Sequence, residues 1–271
     1  MPDGAKPHAA TPLITERDGA VLTLTLDAPQ ARNALSEAML GALTAAIDGA
    51  SGDRALHAIV LRANGPVFCA GHDIKEMSAR RSDPDRGRAY FAEIMGRCAA
   101  LMQTIVACPK PVIAAVEGTA TAAGCQLVAT CDLAVAGTSA KFCTPGVNIG
   151  LFCSTPMVAL SRDIARKHAM EMLLLGEMMS AEDAARFGLV NRVVPDGTVR
   201  PAARAFADRI ASKSPLTVSI GKAAYYRQIE QPLADAYTYA ANVMVENMLA
   251  RDAEEGIGAV IEKRTPTWQG R

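Results

Sequence analysis

Short apolar strands that alternate with helical stretches dominate the first half of the chain, and that alternation leaves few architectures open. Val21-Leu22-Thr23-Leu24-Thr25-Leu26 alternates apolar and Thr residues, as a half-buried strand does, and Ala28-Pro29 stops it. From Ser36 to Ala50 the spacing becomes helical, with Leu40, Leu43 and Ile47 on one face. Ala58-Ile59-Val60-Leu61 then reads as a short buried strand. Val112 to Val116 is another, entered through Pro109 and Pro111 and left at Gly118, and Leu133 to Ala136 is a third, bracketed by Asp132 and Gly137. Strand, helix, strand in series predicts an α/β fold.

Beyond Pro201 the pattern turns wholly helical, over roughly 202–213, 216–227, 233–250 and 254–263. Tyr225, Tyr226, Tyr237, Tyr239, Met244 and Met248 give this tail more apolar surface than a few helices need alone. It is expected to pack on the first part or on another subunit rather than to stand apart. The expected organisation is a flexible polar arm over 1–12, a core over 13–200, and a helical region over 201–271 of the same domain.

Charge and cysteine usage narrow the function. Lys plus Arg and Asp plus Glu are 28 each, so no one-signed field draws the chain to nucleic acid or to an anionic membrane. No run approaches the roughly 18 apolar residues of a membrane span. Seven Cys, an odd set with no C-x-x-C pair, and no leader-like apolar run at the start read as reduced thiols in a cytoplasmic protein. His8, His57, His72 and His168 are scattered, and no metal site is expected.

Two segments are candidates for chemistry. Phe68-Cys69-Ala70-Gly71-His72-Asp73-Ile74-Lys75-Glu76 follows a strand and runs into a helical pattern; Glu117-Gly118-Thr119-Ala120-Thr121-Ala122-Ala123-Gly124-Cys125 does the same about 50 residues later. Small residues admit a ligand to the backbone, and a helix start offers unpaired N–H groups, so two such turns can jointly hold a negatively charged oxygen. No G-x-S-x-G elbow, G-x-G-x-x-G or G-x-x-x-x-G-K-[ST] is present, which disfavours a serine hydrolase and the common nucleotide-binding folds.

In this order and spacing, together with Arg32-Asn33-Ala34-Leu35, Lys110 to Val116 and Glu262-Lys263-Arg264, the segments resemble the enoyl-CoA hydratase/isomerase (crotonase) family over nearly the whole chain. The resemblance implies a crotonase-type spiral of ββα units with a C-terminal helical region used in oligomerisation, as homotrimers or dimers of trimers. It also implies an acyl-CoA or enoyl-CoA ligand, with coenzyme A part of the substrate and no separate cofactor. It maps the oxyanion N–H donors to Ala70 and Ala123, where the family usually has Gly at the second. It lays Ala70, Gly71, His72 and Asp73 along the coenzyme A arm and brings Lys263 to its phosphate or adenine. Val260 replaces the usual aromatic residue, so adenine stacking is not expected, and Arg32 reads as solvated rather than as a phosphate ligand.

The family's hydratases use two glutamates, and this chain has Gln126 and Gly146 at those positions. An amide orients a hydroxyl but has no proton to exchange near neutrality, and Gly has no functional group. Each acid/base step contributes roughly 10² to 10⁴-fold, so efficient hydration is not expected. His72 is a weak candidate for a replacement base, and Cys143, Thr144, Asn148 and Cys153 surround the second vacated position, with inert buried thiols the plainer reading. Two functions follow: an enzyme acting through an enolate or thioester intermediate, or a non-catalytic CoA-ester binding or regulatory protein.

Overall fold

The computed structural model describes residues 11–271, so most of the sequence-predicted arm over 1–12 lies outside the described residues. Four passes of the chain build two sheets. The first pass is an antiparallel hairpin, β1 (Leu13–Asp18) and β2 (Val21–Leu26), followed by α1 (Glu37–Gly52). Ser36 caps α1 by accepting a hydrogen bond from the Met39 N–H at 3.2 Å, and Met39, Leu40, Leu43 and Ile47 are buried beneath it. Each of these large side chains contributes about 1.5–3 kcal/mol by leaving water.

The second pass runs β3 (Ala58–Ala63), β4 (Val67–Cys69), α2 (Ile74–Ala79) and α3 (Arg88–Ala107). A third runs β5 (Val112–Val116), β6 (Thr119–Thr121) and α4 (Ala123–Thr130). The fourth runs β7 (Leu133–Gly137), β8 (Lys141–Cys143), a 3-10 turn over Pro145–Ile149, α5 (Pro156–Asp163), α6 (Arg166–Leu175), β9 (Met179–Ser180), α7 (Ala181–Phe187) and β10 (Arg192–Val194). Each middle pass gives one strand to each sheet. The larger sheet has the order β1-β2-β3-β5-β7-β10, parallel from β2 onward; the smaller has β4-β6-β8-β9, parallel except for the last pair.

Both faces of the larger sheet are covered, which is why its central strands are continuous apolar runs. One face meets the main core. On the other, α8 (Val199–Ala211) lays Val199, Ala203 and Ala207 over Val21, Ala58, Val60, Ile113, Ala115 and Val135. The helices that follow are α9 (Pro215–Gln228), α10 (Leu233–Met248) and α11 (Arg251–Glu262). A buried ion pair holds α9: Lys222 Nζ donates to Asp132 Oδ2 at 2.7 Å and to the Ile105 carbonyl at 2.9 Å, and the Tyr226 hydroxyl donates to Asp132 Oδ1 at 3.0 Å. Beyond it, Tyr237, Met244, Met248, Val260 and Ile261 stay exposed. No helix among the described residues is long and apolar enough to cross a membrane.

Candidate active site

A cavity of about 770 Å³ opens where the turn after β4 meets the start of α4. Asn33 braces one wall. It is fully buried at φ +51°, a conformation that Asn tolerates better than most residues, and its amide is completely engaged. Oδ1 accepts from the Ala28 N–H at 2.8 Å, and Nδ2 donates to the carbonyls of Asn64 at 2.8 Å and Val67 at 2.7 Å. The loop so held presents the Arg32 carbonyl to the Ala70 N–H at 3.1 Å, and the Leu35 N–H donates to the Gly71 carbonyl at 2.7 Å.

That contact corrects the first sequence-predicted donor. The Ala70 N–H is spent on Arg32 and is not free to meet an oxyanion. Further along the turn, the His72 N–H has no acceptor among the described residues, and neither has the N–H of Ala123, the first residue of α4. The two turns touch at Gly71, where φ is +89° and an added Cβ would lie 2.9 Å from Ala122 Cβ, 3.1 Å from the Thr121 carbonyl and 3.2 Å from the Ala123 nitrogen. Ala122 itself sits at φ +50°, ψ −120°, a strained position for a residue with a side chain, and this sharp bend turns β6 into α4. The Thr121 hydroxyl donates to the Ala70 carbonyl at 3.1 Å and ties the turns further.

The positions usually held by glutamates are occupied differently. Gln126 is buried in α4; its Oε1 has no partner, and the side chain is not part of the cavity lining. Gly146 does line the cavity, but there is no room for a side chain on it. A Cβ would stand 2.8 Å from the Leu151 carbonyl and 2.9 Å from Cys153 Sγ. The loop is drawn in here by the Leu151 N–H donating to the Gly146 carbonyl at 2.9 Å. The vacancy expected from the sequence is therefore filled by a backbone carbonyl and a thiol.

Other titratable groups around the cavity are constrained. Asp73 accepts from the N–H groups of Lys75 at 2.8 Å and Glu76 at 3.2 Å as the cap of α2. His72 lines the cavity with neither ring nitrogen hydrogen-bonded, and burial holds its pKa below the usual imidazole range, with the nearby Leu35 carbonyl pulling the other way. Burial pushes the Cys143 thiol up to about 11 and raises that of Cys153, which the Gly146 N–H partly opposes. The Thr144 hydroxyl is buried without a partner, and Asn148 donates to the Gly176 carbonyl at 3.1 Å. Arg32 and Lys75 are the lining cations. Lys263 is exposed at the left-handed end of α11 and is not brought to the cavity within one chain; nor is Val260. Among the described residues no three His, Cys, Asp or Glu side chains cluster as metal ligands.

Within the segment from Ile149 to Pro156, sequence reading singled out only Cys153 and missed Ile149, Leu151 and Phe152, which supply much of the far wall. Its only signal was a run of apolar residues in a stretch with turn residues, which says nothing about which cavity it borders.

Two interleaved sheets with two amide-bearing turns on one cavity define a crotonase-type spiral. The profile described as enoyl-CoA hydratase/isomerase matches residues 16–271, and the chain belongs to that family. It is 46% identical over 254 residues to the rat protein named enoyl-CoA hydratase domain-containing protein 3, mitochondrial, covering 94% of this chain and 83% of the relative. The solved structure of an enoyl-CoA hydratase from Mycobacterium smegmatis shares 50% identity at a TM-score of 0.91, over 95% of this chain and 98% of that one. The human enoyl coenzyme A hydratase domain-containing protein 3 structure shares 45% identity at a TM-score of 0.90, over 95% and 100%. The rat and human relatives are named mitochondrial, which overturns the cytoplasmic location expected from cysteine usage. Reduced thiols are equally at home in a mitochondrial protein, so cysteine usage does not separate the two.

Proposed function

We propose that the chain binds an acyl-CoA or enoyl-CoA thioester and polarises its carbonyl between the N–H groups of His72 and Ala123. The observation that carries this reading is the pair of unshared amides on touching turns beside one cavity. Charge that develops on the thioester oxygen meets fixed donors there, each worth about 3 to 4 kcal/mol of barrier in comparable sites. Gly71 and Asp73 shape the turn along the coenzyme A arm, Arg32 and Lys75 supply positive charge beside it, and no separate cofactor is required.

Efficient hydration is not part of this reading. Gln126 offers no exchangeable proton, and Gly146 is closed off by Leu151 and Cys153. The same two observations favour a second reading, a CoA-ester binding or regulatory protein without turnover. The exposed apolar residues of α10 and α11 are taken as surfaces between copies in a trimer or a dimer of trimers, where Lys263 would reach a neighbour's coenzyme A.

Calorimetric titration with coenzyme A, butyryl-CoA and crotonyl-CoA, followed by loss of the enoyl chromophore, tests both readings. Tighter binding of the esters than of free coenzyme A, with slow or no hydration, is expected. Equal affinity for coenzyme A and its esters would remove the thioester contact, and rapid hydration would refute the account of Gly146 and Gln126.

A further inference from the structure

Ile74, Lys75 and Met77 of α2 line the cavity, yet α2 buries none of its residues and has little packing of its own to hold it there. Its leading end follows the turn already described, where the Leu35 N–H donates to the Gly71 carbonyl at 2.7 Å. Its trailing end is held through Arg80, whose guanidinium lies 4.9 Å from the centre of the Tyr90 ring, and Arg81, 5.6 Å from that of Phe91. Between these anchors, among the described residues, one hydrogen bond ties α2 to a distant part of the chain. Glu76 is not part of the cavity lining, and its Oε2 accepts from the Glu37 N–H at 3.1 Å.

That amide is the first of α1, a donor with no partner inside its own helix, at an end where the helix dipole favours a carboxylate. The competing negative charge of Glu37 is offset by Arg97 of α3. Its Nη1 stands 3.6 Å from the Glu37 carboxylate, and its Nη2 donates to the Glu37 carbonyl at 2.8 Å. Met39, Leu40, Leu43 and Ile47 seat α1 in the core, so the bond joins a loosely packed helix to a firmly packed one.

We infer that Glu76 is a positioning residue for the ligand: by latching α2 to the start of α1, it holds Lys75 and the preceding His72 N–H in place at the cavity. The inference rests on the thioester-binding reading given above. Without the latch α2 spends part of its time displaced, and the apparent affinity falls with the fraction of molecules that keep it in place. The sign of the effect is diagnostic. Coenzyme A is polyanionic, so removing a carboxylate near the cavity would tighten binding if charge alone mattered.

The test titrates the full-length protein with butyryl-CoA by calorimetry and follows hydrogen exchange over residues 74–79. Glu76→Ala should weaken butyryl-CoA binding by about tenfold, the lower end of what a hydrogen bond to a charged group contributes. It should also speed exchange over α2 but not over Met39 to Ile47, and saturating butyryl-CoA should restore the parent's protection. Glu76→Gln keeps an acceptor on the same stem and should stay within about threefold of the parent's affinity. Glu93→Ala removes an exposed carboxylate that stands 3.7 Å from Arg97 and makes no bond to α2, and it should bind as the parent does. If the parent binds butyryl-CoA and Glu76→Ala binds it equally or more tightly, the latch is overturned and the thioester reading stands. Equal weakening by Glu76→Gln, or by Glu93→Ala, also overturns the latch. Failure of the parent to bind butyryl-CoA overturns both.

Discussion

Replacing Gly146 by alanine inserts a methyl group where the structure leaves no room. The new Cβ would stand 2.8 Å from the Leu151 carbonyl and 2.9 Å from Cys153 Sγ, both inside ordinary contact distance, and the nearer is backbone rather than a flexible side-chain end. The carbonyl cannot swing away freely, because the Leu151 N–H is hydrogen-bonded back to the Gly146 carbonyl at 2.9 Å. Overpacking of this kind costs about 1–3 kcal/mol. At roughly 2 °C per kcal/mol for a chain of this length, Gly146→Ala should lower Tm by roughly 2–6 °C at fixed protein concentration. Gly49→Ala and Gly96→Ala, in α1 and α3, are the controls: an added Cβ there meets nothing within 4 Å, and alanine should stabilise by about 0.5–1 kcal/mol. Gly146→Glu should carry the same penalty and leave crotonyl-CoA hydration within about tenfold of the parent, although a working acid would add roughly 10² to 10⁴-fold. Calorimetric melting and the enoyl chromophore read the two outcomes. A Gly146→Ala Tm equal to the parent's, or a hundredfold gain in hydration for Gly146→Glu, would refute the reasoning.

Three further outcomes follow from the geometry. Because burial lowers the His72 pKa, the unfolded chain binds a proton that the folded one refuses, so stability should decline as pH falls below about 6.5. Urea melts of His72→Gln between about pH 7.5 and about pH 5 should show a shallower decline, and an unchanged slope would be contrary evidence. Ala122→Gly relieves about 1–3 kcal/mol of strain at φ +50°, ψ −120°, less about 0.5–1 kcal/mol of added chain freedom, so it should be neutral or stabilising in urea melts; a clear loss would mean that the methyl packing against Gly71 outweighs the strain. Lys222→Met strands Asp132 in a largely buried position and should cost about 3–5 kcal/mol, most of it recovered by adding Asp132→Asn; additive losses in the double-mutant cycle would show that the pair is not coupled.

Much of the fold was legible in the chain because burial on both sheet faces writes itself as composition. Val21–Leu26 and Val112–Val116 occupy the bounds that their apolar runs and flanking prolines and glycine mark. The C-terminal helices begin and end within a few residues of their periodic stretches, and the two small-residue turns line the same cavity. The strands of the smaller sheet were not legible, because β4, β6 and β8 are three residues each, too short for any period to register.

The site divides in the same way. Residue identity alone determined that Gln126 and Gly146 bring no carboxylic acid and that two turns rich in small residues follow one another along the chain in the family's order. Tertiary structure decided which amides are free and what fills the vacated space. The Ala70 N–H is satisfied by Arg32, a residue of an earlier pass of the spiral held in place by the buried Asn33 amide, and the place beside Gly146 is taken by Leu151 and Cys153. Backbone hydrogen bonds between distant segments leave no mark on residue type, since every residue but proline carries the same N–H and C=O groups. The availability of an oxyanion donor is therefore a property of the packed chain, while the absence of an acid is a property of the sequence.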